Sequence, residues 1–324
     1  MLQRYTTAPE LTASYMASVW ETLPGHLRPT MLLPSPRLSE RLGCDITIAS
    51  ETFQHTGSFK FRAAYNLLSS IPEERVIAAS SGNFGQAVAY ASKLSGKQAT
   101  IVMPATSAQV KIDAVRAYGG QVDLIDVRTI SRAERTRQLL AEQPGSFLAQ
   151  AYDDYRVVAG NSTLGQEILS ATDFEVLVVP VGGGGLCSGQ VIARDYLGKR
   201  TEIIGAEPLP ANDAARSLRS GRLVRNEQEP DTIADGARTV SLGALNWEIL
   251  QQGIGDIIEV DDALTLEALR AYFLYANLKV EPTGALALGA VLANPARFAG
   301  KRVCCIVSGG NVDPAVYARA LQEG

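Results

Sequence analysis

The stretch FEVLVVPVGGGGLCSGQVIARDYL, residues 174–197, decides the fold. FEVLVVPV contains the unbroken apolar run VLVVPV, rich in β-branched residues, as in a strand buried on both faces. GLCSGQVIARDYL after it has helical periodicity. The four glycines between them, Gly182 to Gly185, form a strand-to-helix junction where backbone N–H groups can approach an anion and the helix dipole adds attraction. No lysine follows in the G-x-x-x-x-G-K-[ST] spacing, so a nucleoside triphosphate is disfavoured. A cup for a phosphate that is bound but not transferred fits better than a flexible turn.

The same strand-helix alternation runs outward in both directions. Upstream, RVIAAS (75–80), ATIVMP (99–104) and QVDLIDV (121–127) read as strands. GQAVAYASKL (85–94), SAQVKIDAVRAYG (107–119) and SRAERTRQLLAEQ (131–143) read as helices, with Gly119 as a stop and Ser131 as an N-cap. Around the glycines come the helix STLGQEILSA (162–171) and the strand TEIIGAEP (201–208). Later come helices at 263–278 and 283–293, the strand KRVCCIVSGG (301–310) and the helix PAVYARALQE (314–323). This pattern predicts an α/β chain with two open, twisted, mostly parallel sheets flanked by helices. The interval from Pro208 to Gly255 breaks the rhythm and reads as a long functional excursion.

Composition narrows the function. The chain has 324 residues, 46% hydrophobic and 20% charged, with net charge −4 and a pI of about 5.4. A nucleic-acid or acidic-membrane partner is not expected. No signal peptide or transmembrane stretch is read. Cys44, Cys187, Cys304 and Cys305 match neither a zinc pattern nor a disulfide framework, and read as reduced thiols of a cytoplasmic protein. With two histidines, His26 and His55, and no G-x-S-x-G elbow, acid-base chemistry must lean on lysine, carboxylates, hydroxyls or a cofactor.

Three further stretches carry chemistry. In QHTGSFKFR (54–62), Lys60 stands between Phe59 and Phe61. A desolvated amine becomes a nucleophile, whereas an ordinary lysine is a solvated charge. In ASSGNFGQA (79–87), Ser80, Ser81, Gly82 and Asn83 bring hydroxyls, an amide and free N–H groups to a helix start. They suit a carboxylate or a polar ring substituent, or simply cap a turn. Ser308 to Asn311, SGGN, follow the strand RVCCIV, where a hydroxyl can meet a ring nitrogen. Together these groups fit pyridoxal phosphate: an aldehyde for the lysine, a phosphate for the cup, a phenolic oxygen for the amide and a ring nitrogen for the hydroxyl.

On these motifs the chain resembles the fold-type II pyridoxal-phosphate enzymes (tryptophan synthase β-like), in the serine/threonine dehydratase and serine racemase branch. TGSFKFRAA, SSGNFGQA, VPVGGGGL and SGGN carry the resemblance in order, and TIADGA and VEPTGALAL add to it. The resemblance implies a large cofactor-binding domain (1–74 and 154–324) and a small mobile domain (75–153). It implies that Lys60 holds the cofactor through its amine and moves the Cα proton, with Ser81 as acid or base on the opposite face. Phe59 would pack beside the ring and Asn83 bond its oxygen. Gly182, Gly183, Gly184, Gly185 and Leu186 would cradle the phosphate, and Ser308 face the pyridine nitrogen. Ser80, Ser81 and Gly82 would hold the substrate carboxylate, with Phe84 nearby. EPLPAND resembles a cation site, with Glu207, Asp213 and the Ala211 carbonyl as ligands for magnesium or calcium.

The chain departs from the branch at Phe84 (usually histidine), Ala63 (usually glycine), AGNST (159–163) and QAYDDYR (150–156), which places Phe84 and Tyr152 among the candidates for substrate choice. The expected activity is α,β-elimination from serine, threonine or 3-hydroxyaspartate, giving a 2-oxo acid and ammonia. Racemisation of serine is the second reading, and a non-catalytic ligand-binding protein the third. A homodimer is implied, and no appended regulatory domain or isoleucine feedback is expected.

Overall fold

The computed structural model describes residues 10–80 and 82–322. Among the described residues, ten strands form two sheets. The larger contains β1 (Met31–Pro34), β2 (Asp45–Ser50), β7 (Val176–Pro180), β8 (Glu202–Pro208), β9 (Asp256–Val260) and β10 (Arg302–Val307), in the order β1-β2-β10-β7-β8-β9. All neighbours pair parallel except β1 with β2. The smaller sheet contains β3 (Arg75–Ala79), β4 (Gln98–Pro104), β5 (Gln121–Ile125) and β6 (Ser146–Leu148), all parallel, in the order β5-β4-β3-β6.

The apolar run that opened the sequence reading is the inner strand β7, and all five of its residues are buried. Its side chains alternate between two cores. Leu177 and Val179 join a cluster that continues under the smaller sheet through Val76, Ala78 and Ile101. Val176 and Val178 join a second cluster on the opposite face, with Tyr272 and Leu288. That second face is covered by the helix Pro282–Ala293, which is buried from Pro282 to Val291. Its sequence, apolar and small on every side, suits a helix with no solvent face.

Local chemistry sets several boundaries as expected. Ser131 Oγ accepts the Glu134 N–H and starts the helix Arg132–Glu142. Gly119, at φ +92°, stops the chain after the helix Gln109–Ala117. Elsewhere the structure differs from the sequence reading. The helix read at 162–171 begins at Tyr155, because Asp154 caps it by accepting the Arg156 N–H at 2.8 Å. The 208–255 excursion holds two helices, Asp213–Ser220 and Ala244–Gly253. Strands β1, β2, β6 and β9 have no counterpart in the sequence reading: β1 and β6 are short, β9 is only partly buried, and β2, though largely buried, mixes polar and apolar residues without a continuous apolar run.

The fold positions the site by one rule. The segments singled out above follow the carboxyl ends of β2, β3, β7 and β10, where parallel sheets gather ligands.

Candidate active site

The lysine loop is held in an uncommon conformation. Thr56 and Gly57 both have positive φ, +61° and +73°. For threonine this costs about 1–2 kcal/mol, so the surroundings must hold it. Asn311 Nδ2 donates to the Thr56 carbonyl at 2.7 Å. The Gly57 carbonyl accepts from Gly310 N at 3.0 Å, and Phe59 N donates to the Ser308 carbonyl at 3.0 Å. A Cβ on Gly57 would lie 2.5 Å from Asn311 Oδ1. The lysine loop and the SGGN turn are thus one clamp, and it delivers Lys60 as the first residue of the helix Lys60–Ser69.

Lys60 Nζ donates to the Ala151 carbonyl at 3.3 Å and sits 4.9 Å from the Phe59 ring centre and 5.8 Å from that of Phe84. Burial lowers its pKa to about 8, partly opposed by the charge of Glu281. About a tenth of the amines are then neutral at pH 7, far more than for an ordinary lysine.

The glycines form a cradle that side chains would block. A Cβ on Gly183 would run into the Tyr152 ring, and one on Gly182 would lie 3.0 Å from Ala237 Cα. Gly184 has φ +92°. A Cβ on Gly185 would lie 3.1 Å from the Tyr152 carbonyl oxygen. Asn246 Nδ2 holds the Gly183 carbonyl at 2.9 Å. The helix Gly185–Leu197 starts here, with Leu186 second and no side chain capping its first N–H groups. Those donors face a small cavity shared with Phe59, Lys60 and Ser308.

Ser308 is 1% exposed, and its Oγ has no hydrogen-bond partner among the described residues. A buried, unsatisfied hydroxyl costs about 1–3 kcal/mol. The amine, the open N–H cradle and this orphan hydroxyl line one cavity, so the residues present fit pyridoxal phosphate.

Asn83 begins the helix Asn83–Leu94, and both ends of its amide are occupied. Nδ2 donates to Glu281 Oε1 at 2.8 Å and Oε2 at 3.0 Å, and Oδ1 accepts from Asn311 Nδ2 at 2.9 Å. Glu281 is therefore a site residue the sequence reading missed. It stands at the N-cap of the helix Pro282–Ala293, yet its side chain makes no capping bond and turns into the cleft. Burial and the charge of Asp235 raise its pKa to about 7, against the pull of Asn83 and Lys111. The signal available was the motif VEPTGALAL, quoted without a role for its carboxylate.

The main cleft, about 490 Å³, has Lys60, Ser80, Asn83 and buried Phe84 in its wall. Ser80 Oγ accepts the Gly82 N–H at 3.3 Å. Ser81 lies outside the described residues. Lys111, Arg132 and Arg238 also line the cleft. Lys111 pairs with Asp235 at 2.6 Å and Arg132 with Glu229 at 2.8 Å. No local motif announces these cations; only the tertiary fold gathers them. Ala63 packs where Gly160 lets two helices meet, a Cβ on Gly160 lying 3.0 Å from Ala63 Cα.

Glu207, Ala211 and Asp213 come together at the end of β8. Glu207 accepts the N–H groups of Ala214 and Ala215 at 2.9 and 2.8 Å. Asp213 accepts from Asn226 Nδ2 at 2.9 Å and Leu242 N at 3.0 Å. Burial raises the pKa of both, Asp213 to about 6, and the nearby Asp213 charge raises Glu207 further. The ligand types are those a hard cation takes, and all four carboxylate oxygens already accept an N–H from the chain. Among the described residues, no group of three or more His, Cys, Asp or Glu gathers for a metal. No described helix is long and apolar enough to cross a membrane.

A lysine amine, an anion cradle and an orphan hydroxyl at the ends of parallel strands define a cofactor-dependent α/β enzyme. The chain belongs to the pyridoxal-phosphate dependent enzyme family, whose profile matches residues 23–309. It is 40% identical over 307 residues to an L-threo-3-hydroxyaspartate ammonia-lyase of Pseudomonas sp, covering 93% of this chain and 96% of that protein. It is 35% identical over 313 residues to the serine racemase of Schizosaccharomyces pombe, covering 95% of this chain and 96% of that one. Among solved structures, a T.th. threonine deaminase superposes with TM-score 0.87 at 38% identity, covering 92% of this chain and 97% of that one.

Proposed function

We propose that this chain is a pyridoxal-phosphate-dependent ammonia-lyase that dehydrates β-hydroxy amino acids, with 3-hydroxyaspartate as its preferred substrate. The carrying observation is the shared cavity of Lys60, the Gly182–Gly185 cradle and Ser308. The cofactor, when bound, supplies an electron sink for the pair released at Cα. Lys60 holds it and takes the Cα proton. Ser308 would hold the pyridine ring with a neutral hydroxyl, not a carboxylate, which would disfavour prolonged storage of charge and favour prompt loss of the β-substituent. Phe59 and Phe84 keep water from the amine. The Cα–H and Cβ–O bonds break, water leaves, and hydrolysis of the enamine gives a 2-oxo acid and ammonia.

The substrate choice rests on the cleft cations. Lys111, Arg132 and Arg238 line the cleft, and a substrate's second carboxylate would take the place of Asp235 on Lys111 or of Glu229 on Arg132. The ammonia-lyase relative acts on such a substrate by name. Ammonia and oxo-acid release from L-threo-3-hydroxyaspartate, serine and threonine tests both claims. No oxo acid from any of them overturns the reaction, and a preference for serine or threonine overturns the acidic substrate. The racemase reading rests on the resemblance, which gives Ser81 the role of second acid or base, and on the racemase relative. Recovered serine of one hand only would exclude it. A homodimer, and a magnesium or calcium ion on Glu207, Asp213 and Ala211, complete the reading. Analytical ultracentrifugation and calorimetric titration with each cation check them.

A further inference from the structure

Arg62 is the largest fully buried side chain among the described residues, two positions after Lys60 on the same helix. Its five N–H groups make five hydrogen bonds. Nε and Nη2 grip Glu51 at 2.7 and 2.9 Å. Nη1 and Nη2 reach Glu167 at 2.6 and 3.3 Å, and Nη1 also reaches Thr163 Oγ1 at 3.1 Å. The partners sit on separate elements. Glu51 follows β2, and its N–H donates to the carbonyl of Val307, the residue before Ser308. Glu167 and Thr163 belong to the helix Tyr155–Ala171, and Glu167 also accepts from Thr30 N at 2.6 Å.

We propose that Arg62 is a positioning residue for Lys60: its fivefold grip fixes the rotation of the Lys60–Ser69 helix against the strand ends that carry Ser308. The proposal rests on the reading of Lys60 given above.

The geometry explains why rotation matters. A lysine amine reaches about 8 Å from its helix axis, so turning the helix by about 10° moves that amine by about 1.4 Å. A misplacement of about 1 Å costs on the order of a hundredfold in rate. A buried ion pair is weak evidence for stability alone, since apolar replacements of similar volume are often as stable. What an apolar side chain cannot supply is directional bonding to two separate elements at once, which a planar guanidinium does.

The test compares Arg62→Lys, which keeps the charge and loses the fork, with Glu167→Gln, which alters a partly exposed anchor. Near-UV circular dichroism establishes folding. In the cofactor-free protein, the pH dependence of borohydride-trapped pyridoxal on Lys60, read by peptide mapping, reports the amine's titration. Parent Lys60 is expected to titrate at about 8. In Arg62→Lys the value should rise by about one unit as the amine swings toward water, away from its burial beside Glu281. The kcat should fall about 30- to 100-fold, with KM within about threefold. Glu167→Gln should shift both in the same direction by less. If Arg62→Lys folds and keeps parental titration and kcat, the proposal is overturned. If it does not fold, Glu167→Gln decides alone, and parental values there overturn the proposal. A Lys60→Ala variant with full turnover would instead overturn the reading of the site.

Discussion

Ser308 separates what the protein needs from what its cofactor needs. In Ser308→Ala the buried hydroxyl disappears along with its missing bond. The cofactor-free variant is expected to be as stable as the parent, or more stable by up to about 1 kcal/mol. Its affinity for pyridoxal phosphate should fall about tenfold, in equilibrium dialysis beside urea unfolding. Equal loss of both would make Ser308 a plain packing residue. Glu281 gives a pH signature. Its carboxyl is held at about 7 in the fold against an ordinary 4.5. Between those values the folded chain binds the extra proton, so stability falls as pH rises from about 4.5 to 7. Lys60, Asp235, Lys111 and Asn83 face this carboxyl. Glu281→Gln, which keeps an acceptor for Asn83, should flatten that slope in cofactor-free protein. An unchanged slope would place the titration elsewhere.

At the scale of elements, the glycine cradle is defined by what a methyl group would strike. Gly183→Ala drives a Cβ into the Tyr152 ring. The expected result is a stability loss of about 1–3 kcal/mol and failure to retain cofactor. Tyr152→Ala added to the same chain should recover part of the stability but not the cofactor. Full recovery of both would remove Tyr152 from the cradle wall. The cradle was legible in the sequence because its demands are local: an apolar strand, glycines, a helix start. Lys60 and Ser308 were legible for the same reason, each beside a strand end. Glu281, Lys111 and Arg132 were not. Lys111 and Arg132 meet Asp235 and Glu229 only in the fold, and Glu281, although it stands in the motif VEPTGALAL, takes its role from Asn83 on another helix. Strand β9 was missed likewise, since DIIEV is only partly buried and gains its partner from β8.

Across the molecule, Lys111–Asp235 and Arg132–Glu229 tie helices of the smaller sheet to the 208–255 excursion, over the cleft. Such part-exposed pairs are worth about 0–1 kcal/mol each and weaken with salt. Lys111→Asp is expected to raise KM about three- to tenfold. The double variant Lys111→Asp, Asp235→Lys re-forms the tie with its charges exchanged and should restore only part of it, because Lys111 also serves the substrate's second carboxylate. Full rescue would mean that Lys111 acts as a tie alone and not on substrate.

Strand β10 lies between β2 and β7, whose residues come far earlier in the chain. The larger sheet therefore cannot close during synthesis until residue 307 has left the ribosome. Until then β2 and β7 each expose a bare apolar edge to other nascent chains. A message truncated just before Arg302 should yield a polypeptide found with chaperones or in inclusion bodies, however well its smaller sheet has formed.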